Sequence, residues 1–243
     1  AGAAYVFRRV SGDFSEKIDG RLGQVARLEP IEGAGNHCGK AVDLRGRLVA
    51  VGCPGYGGGY GSVHLFELDE RGRGRPVARL AGEPEANYDG RFGQEAIELT
   101  DEHLYVGALW DRSGGDRAGA VWVYDLERRQ KEGTSRVVGV DGSEKLLAPN
   151  PRARENFGRR ILAHDDSLIV SAPGPRTGGE VPHGTVYVFG RESLEFRQRL
   201  RIDEPPAPSK FGTFGTSLTI HQGELVVGAP GFDDGRGRIY RYE

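Results

Sequence analysis

One unit recurs four times along the 243 residues, and this repeat constrains the fold more than any other feature of the chain. Each unit opens with a Phe-Gly-like pair, continues with an apolar run closed by small residues, and ends with an aromatic, β-branched segment. The opening pairs, spaced by 54, 65 and 57 residues, are Cys38-Gly39, Phe92-Gly93, Phe157-Gly158 and Phe214-Gly215. A period of this size is typical of a repeat architecture, in which each unit buries its apolar face only against its neighbours.

The later segments of each unit have the pattern of strands. The apolar runs are LVAVGCP (48–54), LYVGAL (104–109), LIVSAP (168–173) and LVVGAP (225–230). The aromatic segments are GSVHLFEL (61–68), GAVWVYDL (119–126), GTVYVFG (184–190) and GRIYRYE (237–243). A further short strand follows at 76–82, 144–149 and 196–202. The second unit also contains an insert at 128–145, and a weak helical pattern over 127–136 overlaps it. Four short antiparallel strands per unit indicate the blades of a propeller.

Composition excludes several classes of protein. The chain has 39 Gly without a Gly-X-Y period, which excludes collagen and assigns the glycines to turns. A formal net charge of -2 argues against a nucleic-acid partner. No apolar run is long enough for membrane insertion. The chain begins at Ala1 and contains no Met, so we expect either a removed signal segment or a longer parent chain.

The succession of FG, LVVGAP and GTVYVF resembles the FG-GAP repeat of integrin alpha-subunit propellers and of bacterial FG-GAP repeat proteins. The resemblance implies a β-propeller in an extracellular, cell-surface or periplasmic setting that binds a protein or a glycan. Calcium in integrins sits in the hairpin between the first two strands of a blade. The hairpins here (44–48, 99–104, 163–168 and 220–225) are too short and lack alternating acidic ligands. We therefore expect no cofactor and no family calcium site, and keep only Asp233-Asp234 as a candidate cation pair.

The strand count raises the question of how the propeller closes. Residues 1–10 resemble a third strand, residues 23–30 a fourth, and 237–243 a third. Two strands at the start, twelve in three complete units and three in the last unit give seventeen strands in all. We predict a single all-β domain over 1–243 with four four-stranded blades, in which the N-terminal strand pair completes the last blade. Two alternatives stay open. The chain is a partial arc of a larger propeller, for example a seven-bladed one, or it is an arc whose open edge pairs with another chain.

The two cysteines belong to the same predicted hairpin. If the turn is centred on Arg45-Gly46, paired residues sum to 91, and Cys38 faces Cys53. The predicted separation suits a disulfide, which an extracellular setting favours. The alternative is two reduced cysteines filling the slot that Phe157-Ala172 and Phe214-Ala229 occupy in other units.

Strand order places the loops between strands two and three, and the links between blades, on one face of the propeller. Loops on a rigid scaffold carry function, and exposed aromatics beside Arg are typical of binding hot spots. The candidate residues on this face are Tyr56, Tyr60, Trp110, Asp111, Arg112, Arg117, Arg176, Phe232 and Asp233. The alternative is that these Gly-rich loops are only tight turns and that Trp110 packs against the next blade.

Motifs of known catalytic chemistry are absent from the sequence. It contains no GxSxG, HExxH, CxxC pair or P-loop, and no helix follows the Gly-rich segment 56–61 to form a phosphate cradle. We therefore expect a non-enzymatic binding or adhesion module that recognises a protein or glycan through the loop face. The alternative is a structural subunit of a larger surface or filamentous assembly, self-associating through exposed strand edges.

Overall fold

The computed structural model describes residues 2–9, 22–30, 33–82, 90–131, 134–174, 184–202, 213–233 and 235–243. Within these ranges the protein has seventeen β-strands, the predicted number, together with one 3-10 turn at Tyr56–Gly58 and no α-helix. The strands, grouped by sheet, are β1 (Ala4–Arg9) and β2 (Leu22–Leu28); β3 (Val42–Arg45), β4 (Leu48–Cys53), β5 (Ser62–Leu68) and β6 (Gly74–Ala81); β7 (Phe92–Leu99), β8 (His103–Ala108), β9 (Ala120–Lys131) and β10 (Thr134–Leu146); β11 (Ile161–His164), β12 (Ser167–Ala172), β13 (Thr185–Gly190) and β14 (Phe196–Leu200); β15 (Ser217–His221), β16 (Glu224–Ala229) and β17 (Arg238–Tyr242).

The sheets form the predicted propeller arrangement. Three of them are complete blades, with four antiparallel strands in sequence order, and we call them the first, second and third blades. Adjacent sheets pack face to face around separate apolar clusters, one for each pair of neighbours. The middle strands of these blades, such as β4, β5 and β13, are therefore buried along their whole length, whereas β3, β6 and β14 at the blade edges are partly or largely exposed.

The phenylalanine of each opening pair forms the centre of these clusters. Phe92, Phe157 and Phe214 are buried, and each meets a third-strand aromatic ring edge-on. Gly61, Gly119 and Gly184, which precede the third strands of the complete blades, lie against the backbone of the next opening residue, so a side chain there would collide with it. These two contacts explain physically why the Phe-Gly pair and the glycine recur with the repeat.

The N-terminal strand pair lies elsewhere than predicted. Strands β1 and β2 form a two-stranded sheet of their own, and the last sheet has three described strands. The pair packs on the first blade, where Ala4 and Leu28 join Val49 and Phe66 in one cluster. Gly2 meets the backbone of Cys38 just as the equivalent glycines meet the opening residues of later blades. The pair is thus the outer half of a blade that precedes the first one, and it does not complete the last blade.

The insert at 128–145 is a strand extension, and the helix considered over 127–136 is wrong. Strands β9 and β10 have 12 and 13 residues and pair along almost their whole length. Two register shifts, near Gly139 and Glu144, absorb the additional residues. Charged residues at 127–132 conceal this extension in the sequence, because a strand that projects from the core needs no apolar face.

The predicted disulfide between Cys38 and Cys53 is present, with the Cα atoms 3.9 Å apart. The predicted register of the β3–β4 hairpin is nevertheless wrong, because the centre of the turn lies one residue later. Val42 pairs with Val51, so the turn is centred on Gly46-Arg47 and paired residues sum to 93. The backbone bonds from Gly52 N to Ala41 O and from Gly39 N to Gly52 O then shift the register, so that Cys38 again faces Cys53. The second blade has an irregularity at the equivalent position, where β7 and β8 shift register between Phe92 and Ile97.

Candidate binding face

The loop face is held rigid by backbone hydrogen bonds between each loop and the link that leads into the next blade. The Arg91 N–H donates to Gly59 O at 3.1 Å, and the Asn156 N–H donates to Arg117 O at 3.3 Å. Each bond joins a loop between strands two and three to a link between blades. The side chains of these segments therefore stand on an ordered backbone, as recognition residues on a scaffold require.

Trp110 lies in the second-blade loop, where its backbone N–H donates to Gly90 O of the link from the first blade at 3.3 Å. The guanidinium carbon of Arg91 lies 4.5 Å from the centre of the indole ring, and that of Arg117 lies at the same distance. Both arginines have left-handed backbone conformations, with φ of 56° and 51°. Such φ values disfavour residues other than glycine, and here they bring both cations over one ring. We call Arg91, Trp110 and Arg117 the arginine–tryptophan stack.

A second group of arginines lies along the same loop and the following link. Arg112 and Arg154 both approach Asp116, at 3.3 and 3.4 Å. One carboxylate thus serves two guanidinium groups, and Arg117 and Arg152 on the same segments are also exposed. This part of the face carries more positive than negative charge, although the whole chain has a net charge of -2.

Several predicted site residues have structural roles instead. Asp111 is buried, accepts a hydrogen bond from the Ser113 N–H at 2.8 Å, and lies 3.2 Å from Lys145 Nζ. Phe232 is also buried, with its ring against Tyr240 and under the guanidinium of Arg238. These two residues shape the loops from inside and do not offer a surface to a ligand.

The remaining predicted residues are spread around the face. Tyr56 is half-buried beneath the guanidinium of Arg79, 5.0 Å from its carbon, and Tyr60 is half-buried nearby. Asp233 is exposed and approaches Arg236 at 3.4 Å. Arg176 and Asp234 lie outside the described residues, so the structure does not assign the candidate cation pair.

The sequence pattern does not single out Arg91, because it lies in a link between blades and meets Trp110 only in the folded chain. Its signal is its position immediately before the opening Phe92. His37 and Asn156 occupy the same position before Cys38 and Phe157, and both also have positive φ. The residue before the opening pair therefore has a left-handed backbone in three blades, with His37 exposed and Asn156 donating to Gly174 O at 3.1 Å.

Carboxylates also connect neighbouring blades near the innermost strands. The Leu99 N–H donates to Asp43 Oδ2 at 2.7 Å, and the Ala163 N–H donates to Glu98 Oε1 at 3.0 Å. Burial raises the pKa of Glu98 to about 7, although the Ala163 N–H acts in the opposite direction. In the third blade, burial and a hydrogen bond to Glu155 both raise the pKa of Tyr187. These groups hold blades and links together.

The opposite face contains the one grouping with metal-ligand chemistry among the described residues. Ligand atoms of Glu102, His103 and Glu192 lie within 4.8 Å of one another. His103 Nε2 also lies 3.2 Å from Asp125 Oδ1. The two glutamates are exposed, and we assign this group to a polar contact between the second and third blades.

Comparisons with known proteins do not assign the chain to a family. No protein-family profile matches the chain, and no curated protein matches it either. Among solved structures it is similar to one described as the Dos1 propeller, at 13% identity and a TM-score of 0.47. The alignment covers 81% of this chain and 41% of that one, so the chain spans less than half its length. The described part of the chain holds no helix with the length and apolarity to cross a membrane.

Proposed function

We propose that this protein is a non-enzymatic, FG-GAP-like extracellular module that binds an acidic protein or glycan through its loop face. The observation that carries the proposal is the arginine–tryptophan stack. Two guanidinium groups lie over one indole ring on a backbone fixed by hydrogen bonds. Arg and Trp are the residues most often found at energetic hot spots.

The charge of the surrounding loops supports an acidic ligand. Arg112 and Arg154 share Asp116, which leaves positive charge on the face beside the stack. A guanidinium that lies over an aromatic ring keeps N–H groups along the edge of its own plane, where they can donate in pairs to carboxylate or sulfate oxygens. The disulfide between Cys38 and Cys53 supports an oxidising compartment such as the cell exterior.

The test measures retention on three matrices at low salt: immobilised heparin, immobilised poly-glutamate and neutral dextran. We expect retention on a charged matrix but not on dextran, with release by added salt. Retention on heparin alone would identify a glycan, and retention on poly-glutamate alone an acidic protein segment. Passage through both charged columns without delay would contradict the proposal.

Variants locate the binding surface. Arg117→Ala and Trp110→Ala should each lower the salt concentration needed for release, because each removes part of the stack. Arg73→Ala is the matched control, since Arg73 is exposed, pairs with Asp69, and lies on the opposite face. An equal loss in the control would assign the retention to overall charge and not to this face.

A structural subunit that associates through strand edges is the second candidate. It is favoured by the unpaired inner edge of β1 among the described strands and by exposed Tyr5 and Phe7 on that strand. Sedimentation velocity across a hundredfold range of concentration tests it. A constant monomer mass would reject this second candidate.

A further inference from the structure

A second pair of arginines lies on the loop face, at the start of the third blade. Arg159 and Arg160 directly follow the opening pair Phe157-Gly158. The Arg159 N–H donates to Ser171 O at 3.2 Å, and the Arg160 N–H donates to Ser171 Oγ at 3.0 Å. Ser171 is the last residue but one of β12, at the end that leads into a loop between strands two and three. The two residues, which we call the arginine pair, therefore belong to the loop face.

A path of side-chain contacts joins the arginine pair to the arginine–tryptophan stack. Arg91 Nη1 of the stack donates to Gln94 Oε1 at 3.1 Å, and Gln94 Nε2 donates to Glu95 Oε1 at 3.2 Å. Arg160 Nη1 then donates to Glu95 O at 2.9 Å, across the boundary between the second and third blades. The stack and the arginine pair are thus the two ends of one polar path over two blades.

Glu95 places one negative charge beside the arginine pair. Its Oε2 lies 3.8 Å from Arg159 Nη2 and 3.7 Å from Arg160 Nη1. A charge-assisted hydrogen bond has a length of about 2.7–2.9 Å, so these two contacts are ion pairs without direct hydrogen bonds. Along the path, the guanidinium groups of Arg91 and of the arginine pair meet this single carboxylate. The described side chains of the path therefore carry an excess of positive charge.

Glu95 also indicates which anionic group suits the arginine pair. A carboxylate is the group that the fold itself places beside the two guanidinium groups. The side chains of Arg159 and Glu95 are 17% and 21% exposed, and that of Arg160 is 37% exposed. Partial burial lowers the effective dielectric constant, so a charge at this position is attracted more strongly than on an open surface. The exposed part of Arg160 leaves access for a ligand.

We propose that the arginine pair is a second anion subsite, in which an aspartate or glutamate carboxylate of an acidic polypeptide replaces that of Glu95. A further carboxylate of the same polypeptide binds at the arginine–tryptophan stack. This inference rests on the proposed function, and it selects an acidic protein segment over a glycan as the ligand. A segment held at the stack presents its other carboxylates at a high effective concentration, so it competes with Glu95 better than a single anion does.

The experiment titrates hexaglutamate into the isotope-labelled full chain at low salt and follows the Nε–Hε resonances of the arginines by NMR. Resonances missing from the spectra of Arg159→Gln and Arg160→Gln assign the arginine pair, and Arg117→Gln assigns the stack. We expect saturable shifts at both places. A heparin hexasaccharide and sodium acetate are titrated in parallel, and we expect both to bind the arginine pair more weakly than hexaglutamate does.

Variants test the role of Glu95 directly. Glu95→Gln should tighten hexaglutamate binding about tenfold, equivalent to about 1.4 kcal/mol, because it removes the competing charge and keeps an oxygen for Gln94 Nε2. A misfolded protein would not gain affinity. Arg160→Gln should weaken binding by about the same factor. Lys40→Gln is the matched control, because Lys40 is an exposed cation that follows the first opening pair as Arg159 follows the third. Its affinity should stay within about twofold of wild type.

The outcomes separate this inference from the proposed function. Shifts at Arg117 without shifts at the arginine pair would overturn the subsite and leave the proposed function in place. Shifts at the arginine pair without shifts at Arg117 would support the subsite and contradict the proposed role of the stack. Tighter binding of the heparin hexasaccharide than of hexaglutamate would overturn the choice of ligand. An equal loss of affinity in Lys40→Gln and Arg160→Gln would also overturn the subsite, since the binding would then follow overall charge.

Discussion

The two ends of this row of sheets differ in chemistry although they occupy the same kind of position. At the N-terminal end, exposed side chains include Tyr5, Phe7, Val42 and Leu44. At the other end, Arg241 pairs with Glu224 on the outer face of the last sheet. Arg241 occupies the third-strand register that Leu65, Val123 and Val188 hold, buried, in the complete blades. Among the described strands, the last sheet therefore carries charge at a position that is apolar and buried in the complete blades, although Ile239 on the same face is 71% exposed.

The sharpest test of the difference compares one leucine at the exposed end with its equivalent in the interior. Leu99→Ala should lower the free energy of unfolding by about 2–5 kcal/mol, because Leu99 is buried between two blades. Leu44→Ala should change it by less than about 0.5 kcal/mol. Urea denaturation measures both. Equal losses would show that Leu44 is covered in solution and would remove the contrast between end and interior.

The disulfide strengthens the blade that faces the incomplete N-terminal neighbour. Cys38→Ser/Cys53→Ser should lower the free energy of unfolding by about 2–3 kcal/mol, since the bond closes a 15-residue separation. Cys38→Phe/Cys53→Ala should recover part of this loss by restoring the Phe–Ala pair of the later blades. Thermal unfolding without reductant gives the ranking. An unaltered midpoint in the serine variant would argue that the bond does not constrain this end.

An interior carboxylate gives a pH-dependent contrast with the polar end. The pKa of Glu98 is about 7, above its ordinary value of 4.5. The folded state therefore favours the protonated acid, and stability should fall as the pH rises from about 4.5 through 7. Glu98→Gln keeps an acceptor for the Ala163 N–H but cannot ionise. We expect its advantage over wild type to grow by about 2 kcal/mol between pH 5 and pH 8. A difference independent of pH would contradict this assignment.

The smallest effect on stability is expected at the polar end itself. Glu224→Leu/Arg241→Leu should change the free energy of unfolding by less than about 0.5 kcal/mol, because the ion pair is exposed. The same change should instead produce concentration-dependent association in size-exclusion chromatography, since it creates an apolar outer face. Arg241→Lys preserves the charge and should elute as the wild-type protein does. If the double leucine variant also elutes unchanged, the ion pair does not protect this end.

The sequence predicts the fold well because the repeated residues make the same contacts at each boundary between blades. Phe92, Phe157 and Phe214 recur because each fills the same space between two blades. The position of the N-terminal pair was not predictable from strand counting. A third and a fourth strand have the same sequence pattern whether they complete the last sheet or belong to a blade before the first one. The place of the pair is shown by the contacts of Gly2 with the backbone of Cys38 and of Leu28 with the first blade.

The candidate site was harder to predict than the fold. Trp110 and Arg117 were identified because loop chemistry marks them, but Arg91 reaches the same ring from a separate segment. Asp111 and Phe232 were expected on the surface and are buried. Residue type cannot separate a loop side chain that faces a ligand from one that supports the loop, because both kinds are selected at the same turns.

The long β9–β10 hairpin shows that the strands of one blade can lengthen without a change in how neighbouring blades pack. The pairs beyond Leu126 and Val140 extend the second blade outward by about 15 Å at ordinary strand rise. Of the extension residues whose side chains are described, Val140 packs against the apolar cluster between the first and second blades. The additional length is held by ladder hydrogen bonds between β9 and β10. Sequence can thus be added to the hairpin between a third and a fourth strand, on the face opposite Trp110, while the loop face stays accessible.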